Sequence, residues 1–133
     1  MNAQPTPISK ARLWTSRIMA AIVIFFMLFD SIFKFFPPQE VIDGTLELGF
    51  AEHHIPILGA LGFISIVLYA IPRTAVLGAV LLTGYFGGTI ATHLRLDNPL
   101  FTHTLFSVYL GILAWGALWL RMDLLRQLFP VRK

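Results

Sequence analysis

The chain has 133 residues and a formal net charge of +3; 56% of its residues are hydrophobic, 13% are charged and none is cysteine. Soluble domains are about 45–50% apolar and about 25% charged, so this composition excludes a soluble domain, a disordered tail and a nucleic-acid binder, and it predicts a small polytopic membrane protein. The lack of cysteine excludes disulfides, thiol redox chemistry and thiolate metal sites.

Four windows are long and apolar enough to cross the hydrocarbon core of a bilayer, which takes about 20 helical residues. They lie at residues 18–36, 55–71, 74–92 and 100–120. The first window has no A-x-A-like cleavage site after it, so we expect a retained helix rather than a signal peptide. No window shows the ten-residue alternation of a β-barrel. The sequence predicts an all-α, transmembrane four-helix bundle, with residues 1–133 as a single transmembrane domain.

The first span carries two charges that are expected inside the membrane, Asp30 and Lys34. Because they are four residues apart, they share one face of the helix. Two interpretations are open. The pair neutralises itself while Lys34 reaches toward the membrane surface, or Asp30 faces the bundle interior, where it binds a polar ligand group or moves a proton.

The connection from Pro37 to His54 is the longest between spans. Pro37 and Pro38 end the first helix, because proline lacks the backbone N–H and clashes inside a helix. Apolar and acidic residues then alternate loosely. This pattern fits a short helix on the membrane surface or an irregular acidic loop equally well.

The third and fourth spans carry small and polar residues at helical spacing. Small residues of the third span are interpreted as packing positions, where helix backbones approach closely: Gly78, Gly84, Gly87, Gly88 and Ala91. Polar stripes run beside them and on the fourth span: Tyr85, Thr89, Thr92, His93, His103 and Ser107. The short turn between these spans makes them antiparallel neighbours, so we expect the two stripes to face each other.

All four histidines fall on the same side of the predicted membrane: His53, His54, His93 and His103. Imidazole suits zinc, copper or haem iron. However, the spacing matches no H-E-x-x-H helix motif, and the residues crowd the membrane boundary. Interfacial hydrogen bonding is therefore favoured over a metal or haem site, and no catalytic motif is present.

Lysine and arginine divide unequally between the two sides of the predicted membrane. One side carries eight of them: Lys10, Arg12, Arg17, Arg73, Arg121, Arg126, Arg132 and Lys133. The other side carries Lys34 and Arg95. Because cytoplasmic segments hold the excess of Lys and Arg, both termini are predicted to be cytoplasmic.

The run from Leu81 to Arg95, LLTGYFGGTIATHLR, resembles the DoxX-like family of small bacterial membrane proteins. Further support comes from Asp30 and Lys34 and from the turn at residues 71–78. The resemblance implies a four-helix bundle in the bacterial cytoplasmic (inner) membrane and a link to quinol-dependent respiration. The polar positions that match are Asp30, Lys34, Thr92, His93 and Arg95, and none carries a catalytic assignment.

These observations favour a binding or redox-accessory module without independent catalytic activity. Its ligand is a quinone-like or other amphipathic small molecule in an outward-opening polar pocket. The candidate ligand-binding residues are Asp30, Lys34, Tyr85, Thr89, Thr92, His93, Arg95, His103 and Ser107. The alternative is a structural or assembly partner without a ligand, which docks a membrane protein or a second copy through Gly84 and Gly88. A small transporter or proton pathway ranks third, because no acid on the inner side continues a path from Asp30.

Overall fold

The computed structural model describes residues 8–132. Its helices, in chain order, are α1 (Lys10–Phe35), α2 (Gln39–Glu47), α3 (Ile55–Ala70), α4 (Ala75–Arg95), α5 (Phe106–Arg121) and α6 (Asp123–Leu128). Short 3₁₀ turns at Glu52–His54 and Pro72–Thr74 lead into α3 and α4, and a π-helical turn at Leu100–Thr104 leads into α5. Lys133, which the charge count assigns to the cytoplasmic side, lies outside the described residues.

Four segments of the described chain are long and apolar enough to cross a membrane: Lys10–Phe35, Glu52–Ala70, Pro72–Arg95 and Leu100–Arg121. They confirm the all-α prediction and the four predicted spans. α1 begins well before residue 18, because the Ser9 hydroxyl accepts a hydrogen bond from the Arg12 backbone N–H at 3.2 Å and caps the helix there.

The long connection between the first two spans contains a helix. α2 follows Pro38 and covers Gln39–Glu47, so the helical interpretation is confirmed for these residues. Gly49 ends the element with a φ of +94°, in the left-handed region that glycine adopts without steric penalty.

The four spans form a ring in which α1 and α4 each pack against α3 and α5. Neighbouring spans are therefore antiparallel, and the expected pairing of the third and fourth spans (α4 and α5) is confirmed. α1 and α4 end where α3 and α5 begin. We call this the histidine end, after His53, His54, His93 and His103. The opposite end is the arginine end, after Arg12, Arg73, Arg121 and Arg126.

The core between the arginine end and mid-span is tightly packed, and most of its buried polar groups are hydrogen-bonded; Arg121 Nε, which is buried without a partner among the described residues, is an exception. Val23, Met27 and Ile66 are at most 1% exposed. The Ser16 hydroxyl donates to the Ala117 carbonyl, and the Tyr69 hydroxyl donates to the Ala114 carbonyl, both at 2.7 Å. Such internal bonds are needed because hydrocarbon offers no alternative partner for a polar group.

The glycines of α4 play two different parts. A Cβ atom at Gly78 would lie 2.2 Å from the backbone nitrogen of Tyr69, so α3 and α4 touch backbone to backbone there. By contrast, among the described residues nothing lies within 4 Å of a Cβ built at Gly84, Gly87 or Gly88. The packing interpretation is right for Gly78 and wrong for the other three within this chain, because no neighbouring helix lies within 4 Å of a Cβ built at any of them.

Gly78→Ala is expected to destabilise the bundle by about 1–3 kcal/mol, because overpacking a tight contact forces the backbones apart. Gly87→Ala is the matched control, since its new methyl group enters open space and changes stability by less than about 1 kcal/mol. Unfolding in mixed detergent micelles, followed by tryptophan fluorescence, measures both variants. Equal stability of the two would contradict the assigned contact.

Candidate functional site

A cavity of about 790 Å³ lies between the spans at the histidine end. Apolar side chains form much of its wall, among them Phe26, Met27, Leu58, Phe86 and Leu110. Five polar or charged side chains, which we call the polar region, also line it: Asp30, Lys34, Tyr85, His93 and His103. Residues of α2 also border it, including Thr45 and Glu47. The cavity therefore combines mainly apolar walls with a few polar groups, the usual composition of a small-molecule site.

Lys34 joins α1 to α4 inside the polar region. Its Nζ forms an ion pair with Asp30 Oδ2 and donates a hydrogen bond to the Tyr85 hydroxyl oxygen at 3.0 Å. The Lys34 and Asp30 side chains are 15% and 32% exposed. The ion pair is thus confirmed, but Lys34 reaches across to Tyr85 on α4 and not toward the membrane surface. Because both residues also line the cavity, a ligand or proton role for Asp30 stays a prediction.

Two glycines of α3 make room for this arrangement. A Cβ atom at Gly59 would lie 2.9 Å from Lys34 Cβ, and one at Gly62 would lie 3.6 Å from Tyr85 Cζ. The absence of side chains at these positions lets α1 approach α3 while Lys34 reaches toward α4. Small residues permit such close approach of transmembrane helices.

The turn after α4 positions His93. The backbone N–H of Asn98 donates to the His93 carbonyl at 3.1 Å, and that of Asp97 donates to the Leu94 carbonyl at 3.1 Å. These bonds form a Schellman motif, in which Asp97 adopts a φ of +54°. The same turn brings Asn98 Nδ2 within 2.8 Å of His93 Nδ1. Because an amide nitrogen only donates, Nδ1 accepts, and the neutral ring carries its proton on Nε2.

His103 lies in the π-helical turn that precedes α5. Its ring centroid is 5.7 Å from that of His93, and its Nδ1 is 2.8 Å from the Thr102 hydroxyl. Within residues 8–132, no three His, Asp or Glu side chains gather as metal ligands. In the same range neither cavity histidine has a hydrogen-bond partner at Nε2.

The structure places eight of the nine candidate residues on this one cavity: Asp30, Lys34, Tyr85, Thr89, Thr92, His93, His103 and Ser107. The hydroxyls of Thr89 and Thr92 donate to carbonyls of their own helix, at 3.1 and 2.8 Å. These two hydroxyls can therefore accept a hydrogen bond from a ligand but cannot donate one to it. A ligand-binding role for the set stays a prediction, since no bound molecule tests it.

Arg95 is the ninth candidate, and it lies outside the cavity lining. Its Nη2 donates to the Leu48 carbonyl at the end of α2, at 2.8 Å. A cation at a helix C-terminus is favourable, so Arg95 fastens α2 across the histidine end. Gly49 leaves space for it, because a Cβ there would lie 2.8 Å from Nη2.

Several cavity residues were absent from the candidate set, including Phe26, Leu58, Asn98 and Phe106. The three apolar residues look like any other lipid or core position in the sequence. Asn98 is recognisable only as a turn residue, because its contact with His93 spans five positions and follows no helical spacing. The only sequence feature that could have indicated a site role for Asn98 is its position, as a polar residue shortly after the histidine near the end of the third span.

The sequence model of the DoxX-like family matches residues 18–117. This range runs from the ninth residue of α1 to the twelfth of the 16 residues of α5, and it includes every residue named above on the cavity. No curated protein and no solved structure matches the chain.

Arg95→Gln is expected to loosen α2. Losing a hydrogen bond from a charged group costs about 1 kcal/mol at an exposed position, so amides of residues 40–50 should exchange about fivefold faster by local opening. Hydrogen exchange with mass spectrometry measures this, with Arg73→Gln at the arginine end as control. Unchanged exchange at residues 40–50 would contradict the role assigned to Arg95.

Proposed function

The chain belongs to the DoxX-like family, and we propose that it binds a quinone-like, amphipathic small molecule in the cavity at the histidine end. One observation carries this proposal: mainly apolar cavity walls present three hydrogen-bond donors, from Lys34, Tyr85 and His93. A quinone ring carries two carbonyl oxygens, which are acceptors, on a flat apolar ring. The two patterns are complementary.

The donors come from two helices, α1 and α4. The Tyr85 hydroxyl oxygen accepts from Lys34, and its own proton can turn to the neighbouring Asp30 carboxylate or to a ligand carbonyl. His93 offers Nε2–H, since its Nδ1 accepts from Asn98. Lys34 has three N–H groups and uses two, on Asp30 and Tyr85. A ligand carbonyl would accept from these groups, while Phe86 and Phe106 would contact its ring.

A binding or redox-accessory role fits this chain better than an independent oxidoreductase. The sequence has no cysteine, and none of its side chains can accept and pass on electrons without a bound group. The bound quinone would therefore exchange electrons with a separate membrane oxidoreductase, to which this chain supplies a site.

A structural or assembly role is the second candidate. It is favoured by the bare face of α4, where Gly84, Gly87 and Gly88 meet nothing within 4 Å among the described residues. Another membrane protein or a second copy could pack closely there. This candidate requires no ligand, so the binding experiment below separates it from the first.

Tyr85→Phe is expected to weaken decylubiquinone binding about threefold to tenfold, because one hydrogen bond contributes about 0.5–1.5 kcal/mol. Tyr109→Phe is the control, since Tyr109 donates to the Phe101 carbonyl at 3.1 Å and is not a lining residue. Equilibrium binding of the tritiated quinone to protein in nanodiscs measures both. Absence of saturable binding to the wild-type protein, or equal losses in both variants, would overturn the proposal and favour the assembly role.

We also propose that the arginine end faces the cytoplasm of a bacterial inner membrane. The support is the excess of Lys and Arg at that end. Since the chain has no cysteine, single cysteines report orientation cleanly. In intact cells, an impermeant maleimide should label Glu52→Cys at the histidine end and spare Gln127→Cys in α6 until the cells are lysed. The reverse pattern would contradict the orientation.

A further inference from the structure

We propose that the ligand enters the cavity laterally from the lipid, through the gap between α3 and α4 at the histidine end, and that its hydrocarbon tail stays in this gap. We call such a gap between two neighbouring spans a seam. The inference rests on the proposed function, because it concerns the ligand of the same cavity. It adds an entry path and a ligand class: a molecule dissolved in the bilayer, with a ring head and an alkyl or isoprenoid tail.

The seam between α3 and α4 is closed at one end and open at the other. At the arginine end, the backbones touch at Gly78 and Tyr69. Farther along, Gly84 and Gly88 of α4 border the cavity, are exposed, and have nothing within 4 Å of a Cβ built there. On the α3 side, Leu61 borders the cavity and is 52% exposed. Residues that are both exposed and cavity-lining border an opening in the wall. Phe26 and Phe106 are also of this kind, but their rings contact each other across the α1–α5 seam.

The other three seams are bridged at the same level. Between α1 and α5, the rings of Phe26 and Phe106 meet edge to face with centroids 5.0 Å apart. Between α1 and α3, the backbones approach at Gly59, beside Lys34.

Between α4 and α5, a Cβ at Gly111 would lie 3.8 Å from the Phe86 ring, and the His93 and His103 rings lie 5.7 Å apart. Arg95 fastens α2 across the end of the bundle through the Leu48 carbonyl. The α3–α4 seam is narrowed at this level by the Tyr85 ring, which lies 3.6 Å from a Cβ built at Gly62. Beside that ring, however, Gly84, Gly88 and Leu61 line the cavity and are exposed, so this seam is open next to Tyr85.

The surface around this opening suits a lipid-dissolved molecule. The exposed neighbours of the seam are apolar: Ile57 and Ile64 on α3, and Leu77 and Leu81 on α4. In a bilayer these helix positions face hydrocarbon. A water-soluble molecule would have to cross that region to reach the seam, whereas an alkyl tail is already dissolved there. The shallow groove over Gly84 and Gly88 can accept such a tail while the ring lies beside Tyr85, which is next to Gly84 in the chain.

The test blocks the seam reversibly. The natural chain has no cysteine, so Gly84→Cys can be modified with benzyl methanethiosulfonate and restored with a reductant that is then removed. Gly87→Cys, modified in the same way, is the matched control, because Gly87 is equally exposed and does not line the cavity. The probe is tritiated decylubiquinone, added to and chased from protein in nanodiscs.

We expect modified Gly84→Cys to load the probe about tenfold more slowly and to release it more slowly as well, because the benzyl group lies in the seam through which the ring must pass in both directions. Reduction should restore both rates, and modified Gly87→Cys should match the wild type.

Three results would overturn the inference. If the wild type binds and both modified variants load equally fast, the entry path is wrong while the binding proposal stands. If modified Gly84→Cys loses affinity with its association rate unchanged, residue 84 lines the binding site but does not lie on the entry path. If the wild type shows no saturable binding, the proposed function fails and the entry path fails with it.

Discussion

The backbone contact between α3 and α4 at Gly78 is the constraint on which the rest of the bundle depends. Without a hydrophobic force between helices in lipid, association relies on close packing, and this contact is the tightest that a glycine provides in the described chain. It pins the two helices at the arginine end. Toward the histidine end, Gly84 and Gly88 of α4 and Leu61 of α3 border the cavity.

The second constraint is the cost of charge in a membrane. Asp30 and Lys34 neutralise each other, and Lys34 also bonds Tyr85 on the opposite helix, so the polar region is largely satisfied internally. Charged residues within spans usually mark functional sites. Here the satisfied pair leaves neutral donors, from Tyr85 and His93, as the groups that would meet a ligand. A head rich in acceptors is the chemistry that this arrangement favours.

Much of the fold follows from the sequence, because span length and apolar character determine where a helix crosses the membrane. Most of the candidate site follows as well, since polar residues are rare in these spans and those at one depth converge when the spans form a ring. The features that the sequence could not predict also have physical reasons. Helical spacing shows that Gly84 and Gly88 share a face, but it does not show which helix, if any, covers that face. Arg95 was grouped with the site because its partner, Leu48, comes from a helix that the sequence left undecided.

The central claim is that a bilayer-dissolved molecule with a carbonyl-bearing ring occupies the space between the spans. The most direct measurement is the mass of what stays bound when the wild-type protein is taken from its own membrane in native-lipid nanodiscs and analysed by native mass spectrometry. We expect an equimolar quinone-like compound that is distinct from phospholipid. Bound phospholipid alone, with no such compound at any level, would contradict it.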